Sequence, residues 1–305
     1  MDKKRLLLID FNNVLYAHYF TKQLTNSKGQ HVQGIVGFMH RLKNLRDMFN
    51  PDYIVIARDL SRSKTFRREL YPAYKSTRKP TDNDAIFQVN ETIRLLSLMG
   101  YPILAHEKYE ADDIIGMCSA LGTDLDMDVI IVSGDRDIYQ LINDNTCVWS
   151  FRKEEIIDKH YMMEHYMLKP NQWVDLKILQ GDPSDNIPGI PGIGNKTALE
   201  LMRAFGSISG IYNNADKLSR SLRDKLYNGK SSIQMMRVLV TIITDYTSLD
   251  YSEENFKRGE VFKNELYEAI GELEIPSILN IIRYDLLPEG RREEDVPGES
   301  NSFEG

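Results

Sequence analysis

The sequence predicts an α/β protein with a mostly parallel sheet flanked by helices, on three observations. Short apolar runs at residues 5–10 (RLLLID), 53–58 (YIVIAR) and 128–133 (DVIIVS) have the length and composition of buried strands. Helix-period segments at 35–48, 85–99 and 113–121 lie between them, as parallel strands with crossover helices require. Each run also delivers acid to its carboxyl end: Asp10 from the first, Asp59 from the second, Asp135 and Asp137 from the third. Ligands of such sheets bind at the carboxyl ends of strands. Acids placed there by three separate strands are therefore a site, where a random scatter of surface carboxylates would rarely repeat the placement.

Composition sets the outer bounds. The 305 residues are 42% hydrophobic and 27% charged, a globular balance with enough chain to bury a sizeable core in one large domain or two small ones. No apolar run approaches the ~20 residues of a membrane span, and the run after the basic start MDKKR is too short for a signal peptide. Cys118 and Cys147 make neither a disulfide framework nor a zinc spacing, so a reducing cytoplasm is the expected setting, with no membrane partner. The six histidines form no metal-ligand pair of the HExxH kind.

The net charge of −7 argues against a nucleic-acid binder, but its distribution argues the other way. Between residues 58 and 79 lie Arg58, Arg62, Lys64, Arg67, Arg68, Lys75, Arg78 and Lys79, against only Asp59 and Glu69. The stretch from 60 to 84 also carries Pro72, Pro80, Phe66, Tyr71 and Tyr74. Cations interleaved with aromatics suit a phosphate backbone and stacked bases, although charge alone fits a solvated helix equally well.

The most crowded acidic stretch is Tyr109-Glu110-Ala111-Asp112-Asp113, running straight into the apolar Ile114-Ile115-Gly116-Met117-Cys118. A helix N-terminus tolerates one anion by ~0.3–1 kcal/mol, too little to hold three partly buried ones together. Protonation or a bound cation is expected, with an ordinary acidic first turn as the plainer reading. Oxygen ligands without histidine or thiolate select hard cations, magnesium with manganese as substitute, and so many acids suit two ions. Two ions fit hydrolysis of a phosphodiester. Calcium storage is disfavoured because no twelve-residue calcium loop is present.

After residue 171 the chain turns helical, at 171–180, 196–205 and 231–244. Between the first two lies GDPSDNIPGIPGIGNKTA (181–198), which adds Asp182 and Asp185 to the acids. No strand precedes these glycines, so a dinucleotide fingerprint fails, and Asn195 stands where a phosphate-loop lysine would be. A helix-hairpin-helix fits better, with Gly192 and Gly194 allowing close backbone approach and the helix start at Lys196 and Thr197 offering amides to a phosphate. A plain interhelical turn remains open. Residues 288–305 are polar enough to predict a disordered tail, available to tether a partner.

In this order the blocks LLLIDFNNVLYAHY, RDLSRSKTFRRELYPAYKSTRKP, YEADDIIG, VSGDRDIYQL and ILQGDPSDNIPGIPGIGNKTALELMRAFGS resemble the 5′-nuclease superfamily of flap endonucleases and 5′→3′ exonucleases. The branch is that of bacterial DNA polymerase I 5′-nuclease domains and phage 5′ exonucleases, and the likeness covers residues 5–215, more weakly to 285. The resemblance implies a PIN-like core over 1–170 with a helical arch at about 60–85, and a helical DNA-binding region over 171–287. It implies Asp10, Asp59, Glu110 and Asp112 around a first metal, and Asp135, Asp137, Asp182 and Asp185 around a second, with Asp113 between. Lys75 and Arg78 would contact the scissile phosphate, Tyr74 would stack on a base, and Arg67 is a further candidate there. The turn at Gly192, Gly194, Lys196 and Thr197 would grip duplex DNA and hold a potassium ion. One departure is Arg58 before Asp59, where relatives carry an aromatic or small residue.

The implied activity is a metal-dependent, structure-specific 5′ nuclease acting near a free 5′ end or flap, including RNA primers paired to DNA, during replication. No polymerase domain follows within the sequence, which predicts a stand-alone enzyme of a bacterial or infected-host cytoplasm, with replication proteins as partners through the tail. The alternatives are a catalytically silent DNA-junction binder, which should lack carboxylates, and an RNA-processing nuclease of the wider PIN class, which should lack the hairpin.

Overall fold

The computed structural model describes residues 3–60 and 64–282. The polar tail expected at 288–305 and the arch residues 61–63 lie outside the described residues. Strands β1 (Arg5–Asp10), β2 (Tyr53–Ala57), β3 (Ile103–Leu104), β4 (Asp128–Val132), β5 (Thr146–Ser150) and β6 (Glu155–Ile157) form one sheet in the order β3-β2-β1-β4-β5-β6. All neighbours are parallel except β5 and β6, an antiparallel edge pair. Chain order reverses between β1 and β4, so the crevice at their carboxyl ends is the topological switch point.

The interiors of β1, β2 and β4 are apolar because both faces of the sheet are covered there, and alternate residues serve opposite layers. Leu6, Leu8, Val55, Ala57, Val129 and Ile131 face one core, shared with the helix at Ala111–Asp124 and with the helices between residues 173 and 240. Leu7, Ile9, Ile54, Ile56, Ile130 and Val132 face a second core. The helices in chain order are α1 (Phe11–Tyr19), α2 (Gln33–Phe49), α3 (Phe66–Leu70), α4 (Asn83–Leu98), α5 (Ala111–Asp124), α6 (Lys159–Tyr166) and α7 (Trp173–Gln180). They continue with α8 (Asn195–Phe205), α9 (Ile208–Asn213), α10 (Arg220–Gly229), α11 (Ile233–Val240), α12 (Lys263–Leu273) and α13 (Leu279–Ile282).

Three differences from the sequence expectations have physical causes. Helix α11 stops at Val240 instead of running to 244 because Thr241-Ile242-Ile243 is extended and its backbone groups bond to side chains. Arg67 donates to Thr241 O, Ile242 N to Gln140 and Ile243 N to Asp113. Helices α12 and α13 do not stay with the helical region but return to the second core, where Leu266, Ala269, Ile270 and Leu273 of α12 form an i, i+3, i+4, i+7 stripe packed with α4, and α13 packs with α2. The described part of the expected arch holds one five-residue helix, α3, followed by turns through Arg78.

Candidate active site

A cleft of about 500 Å³ opens at the switch point, lined by Asp10, Asn13, Asp59, Lys75, Arg78, Glu110, Asp112, Asp135, Arg152 and Asp185 among others. Sheet topology explains the convergence. Asp10 ends β1 and caps α1, accepting from Asn13 N at 3.2 Å. Its other oxygen accepts from Ser133, just past the end of β4, at 2.9 Å. Asp59 follows β2 and accepts from Ala111 N at 2.8 Å, tying that strand end to the start of α5. Asp135 leaves β4, and its own amide bonds to Ser133 Oγ at 3.0 Å.

These acids crowd one another out of water. Burial pushes the Asp10 carboxyl up to about 7, with Asp59 and Asp135 adding to the rise and the bonds from Ser133 and Asn13 opposing it. Burial, with Asp10 and Asp135 as close anions, also holds Asp112 well above the usual carboxylate range, although Lys75 pulls the other way. Among the described residues no lysine or arginine nitrogen lies within ion-pair distance of Asp10, Asp112 or Asp135. The donor set is oxygen only and short of positive charge, which fits a hard divalent cation.

Asp137, Asp182 and Asp185 form a second group, with one oxygen of each within 4.8 Å of the others. The loop between α7 and α8 closes on itself to present two of them. Asp182 and Ile187 exchange backbone hydrogen bonds of 2.8 Å, and Gly181 meets Gly189 so tightly that a Cβ on Gly189 would sit 2.4 Å from Gly181 N. Both glycines have positive φ (72° and 66°), so the loop needs them twice over.

Lys177 on α7 serves this second group. Its Nζ donates to Asp182 at 2.5 Å and lies 2.7 Å from Asp137 Oδ1, the latter an ion contact without hydrogen-bond alignment. Burial would raise Asp182, but the bonds from Lys177 and Ser184 outweigh it and lower its pKa. Asp137 goes the other way, pushed up to about 6 by burial and by Asp135, with Lys177 only partly offsetting them. Lys177 was not singled out from sequence. The signal was a lone lysine inside the apolar run Leu176–Leu179, a position that needs a buried anion.

Asp185 is met from the other side. Arg78 bonds to Asp185 Oδ1, and Lys75 Nζ lies 2.7 Å from Glu110 Oε1 and 3.7 Å from Asp185 Oδ2. Lys75 has a left-handed φ of 53°, fixed by its amide donating to Asp185 O at 2.9 Å. A non-glycine residue there costs about 1–2 kcal/mol, and here the conformation brings the ammonium over Glu110.

Three expected site residues are elsewhere in role. Asp113 is fully buried, and its two oxygens accept from Arg67 (2.5 and 2.7 Å), Glu110 N (3.0 Å) and Ile243 N (3.0 Å), leaving no lone pair aimed at the cleft for a metal. Arg67 is 3% exposed and spends its remaining donors on Glu110 and on the carbonyls of Leu239 and Thr241, so in this structure it joins α3 to α5 and α11. Tyr74 is also 3% exposed, with its hydroxyl donating to Glu110 at 2.8 Å, so it supports a cleft carboxylate from beneath and has no free ring face for a base.

The hairpin residues lie apart from the acids. Gly192 (φ 80°), Gly194 and Lys196 are exposed on the turn into α8, Thr197 is half-buried, and Lys225 of α10 donates to Gly192 O at 3.1 Å. Gly194 caps α8, and a Cβ there would meet nothing within 4 Å, so the turn has room for a large approaching group. No described helix is long and apolar enough to cross a membrane.

A carboxylate cleft at the switch point of a parallel sheet, joined to a glycine-turn helix pair, defines a class of α/β proteins with an appended helical module. Residues 5–167 match the family model described as 5′-3′ exonuclease, N-terminal resolvase-like domain, and residues 168–264 match 5′-3′ exonuclease, C-terminal SAM fold. The chain belongs to the 5′-3′ exonuclease family.

It is 34% identical over 282 residues to DNA polymerase I of Caldicellulosiruptor bescii, covering 90% of this chain and 33% of that protein. With DNA polymerase I of Streptococcus pneumoniae it shares 35% over 298 residues, covering 94% and 34%. The chain thus spans about a third of the length of these relatives. In fold it is similar to the bacteriophage T5 D15 protein co-crystallised with metal ions (TM-score 0.66, 21% identity, 87% of this chain and 99% of that one). It is similar too to the catalytic core of Rad2 in complex with DNA substrate (TM-score 0.59, 18% identity, 94% and 93%).

Proposed function

We propose that the chain is a metal-dependent, structure-specific 5′ nuclease. Its substrates are phosphodiesters near a free 5′ end or 5′ flap of DNA, and RNA paired to DNA, which suits primer removal in replication. The observation that carries the reading is the cleft in which Asp10, Asp112 and Asp135 stand together with no lysine or arginine among the described residues in ion-pair contact, while Lys75 and Arg78 line the same cleft. Asp135, which the resemblance grouped with the second metal, lines the cleft with Asp10 and Asp112, so in this reading Asp10, Asp59, Glu110, Asp112 and Asp135 would hold one magnesium or manganese ion, and Asp137, Asp182 and Asp185 a second. Bound there, such ions activate water and offset charge on the reacting phosphodiester.

The chain's own groups do the rest. Ser133 and Asn13 fix the Asp10 carboxylate, and Tyr74 fixes Glu110. Lys75 and Arg78 reach the cleft from the same turn and would turn toward the phosphate as its charge grows. Burial alone would lower the pKa of Lys75, but Glu110 and Asp185 raise it, so its ammonium stays charged for that role. The turn at Gly192, Gly194, Lys196 and Thr197 would take the duplex backbone, a potassium ion included. Replication proteins would bind through residues 288–305, in the cytoplasm.

The test is cleavage of a 5′-labelled flap duplex and a nicked duplex with magnesium and with chelator. Magnesium-dependent release of short 5′ products, abolished by Asp112→Asn, supports the reading. Tight binding without cleavage in either metal indicates the silent junction binder instead.

A further inference from the structure

Arg152 lines the cleft with Asp10, Asn13 and Asp135, and nothing in the motif reading singles it out. It sits in the tight turn between β5 and β6, where Lys153 N and Glu154 N both bond to Ser150 O, so its backbone is held at the rim. The charged neighbours in this turn are committed. Lys153 bonds to the Tyr161 hydroxyl at 2.5 Å and pairs with Glu155 at 3.3 Å, and Glu154 lies 3.7 Å from Arg41. Among the described residues Arg152 has no ion pair, although six carboxylates line the same cleft.

Its approach is made possible by Gly134, past the end of β4. A Cβ on Gly134 would stand 2.6 Å from Arg152 Nε and 3.0 Å from its Cδ, so the arginine stem lies directly over that backbone. Gly134 is itself pinned by its amide donating to Asn13 Oδ1 at 3.0 Å, which keeps the platform beside Asp10. Sheet order then separates the cleft's cations. Lys75 and Arg78 come from the connection after β2, on one side of β1, whereas Arg152 comes from the β5 end on the other. Lys75 and Arg78 already pair with Glu110 and Asp185, leaving Arg152 as the lining cation with no carboxylate to give up.

We infer that Arg152 binds a phosphate of the substrate strand on the wall of the cleft opposite Lys75 and Arg78, fixing how the strand enters. The inference rests on the nuclease reading above. A guanidinium fork matches two phosphate oxygens, and an unpaired one has no internal bond to break before binding.

The experiment is single-turnover cleavage of the 5′-flap duplex in magnesium by wild type, Arg152→Gln and Arg152→Lys, with a second substrate series carrying one neutral methylphosphonate walked through the phosphates around the cut. Arg152→Gln should lower kcat/KM about 10- to 100-fold, as loss of a charged hydrogen bond predicts. Arg152→Lys should recover part of it, since the charge returns without the fork. The slope of log kcat/KM against log salt should fall by about one, the signature of one lost phosphate contact. One methylphosphonate position should slow the wild type and leave Arg152→Gln no slower, an outcome that a merely structural role would not produce.

Cleavage by Arg152→Gln within twofold of wild type, or methylphosphonate penalties identical in both proteins, would overturn the inference while leaving the nuclease reading intact. A wild-type chain that fails to cut any substrate would overturn both.

Discussion

Two carboxylate groups, of which the second reaches the cleft through Asp185, differ in how their charge is balanced. Around Asp10, Asp112 and Asp135 the described structure supplies hydrogen bonds from Ser133, Asn13 and backbone amides but no lysine or arginine in contact. Around Asp137, Asp182 and Asp185 it supplies Lys177 and Arg78, both in ion contact. The first group is the one we propose as the stronger cation site, because burial and neighbouring anions raise the pKa values of Asp10 and Asp112 and no lysine or arginine among the described residues pairs with them. The second holds its own ammonium, so an incoming ion must compete with Lys177. A cluster of acids is thus only half of a metal-site argument. The other half is which cations the fold has already placed there.

The largest expected effect lies in the first group. Asp112→Asn should reduce flap cleavage on the order of 10³-fold, measured by single-turnover rates. Lys75→Ala comes next, with a loss of about 10²-fold in turnover and little change in DNA binding, and equal loss of both would remove Lys75 from that role. Lys177→Met tests the second group by stability. Leaving Asp137 and Asp182 buried without their ammonium should cost about 3 kcal/mol in denaturant unfolding of the metal-free protein, and excess magnesium should restore much of it.

The smallest effect is the pH dependence. Asp10 and Asp137 have folded pKa values of about 7 and about 6, raised from 3.8, so the folded state holds protons that the unfolded state releases. Their contribution to stability is full below the unfolded value and is lost as pH rises through about 6 to 7. Metal-free protein should therefore lose melting temperature between pH 5 and pH 8. Asp112→Asn should lose less, and added magnesium should help the wild type more at pH 8 than at pH 5.

Much of this was legible in the sequence where local chemistry decides the outcome. The strands β1, β2 and β4 announce themselves as apolar runs, and the acids behind them reach the cleft because parallel strands end on one edge. Strand β5 (TCVWS) is short and mixed, and β6 is only three residues, so neither stood out. The fates of Asp112 and Asp113 could not be separated by reading along the chain. Both sit in the first turn of α5, and what buries one of them is Arg67, 46 residues away, together with Ile243 from beyond α11. Tyr74 went the same way: its place in a basic, aromatic stretch suggested stacking, and Glu110 and Asp185 instead draw its hydroxyl inward. Arg152 and Lys177 were missed because their meaning depends on partners, or the want of them, across the sheet.

The central claim is that the group around Asp10 and Asp112 is the stronger cation site and the group held by Lys177 the weaker. Manganese binding to the DNA-free protein, followed by electron paramagnetic resonance of the free ion, tests it most directly. The account predicts that the tightest site disappears in Asp112→Asn and survives in Asp182→Asn. A tightest site that survives Asp112→Asn and is lost in Asp182→Asn would contradict it.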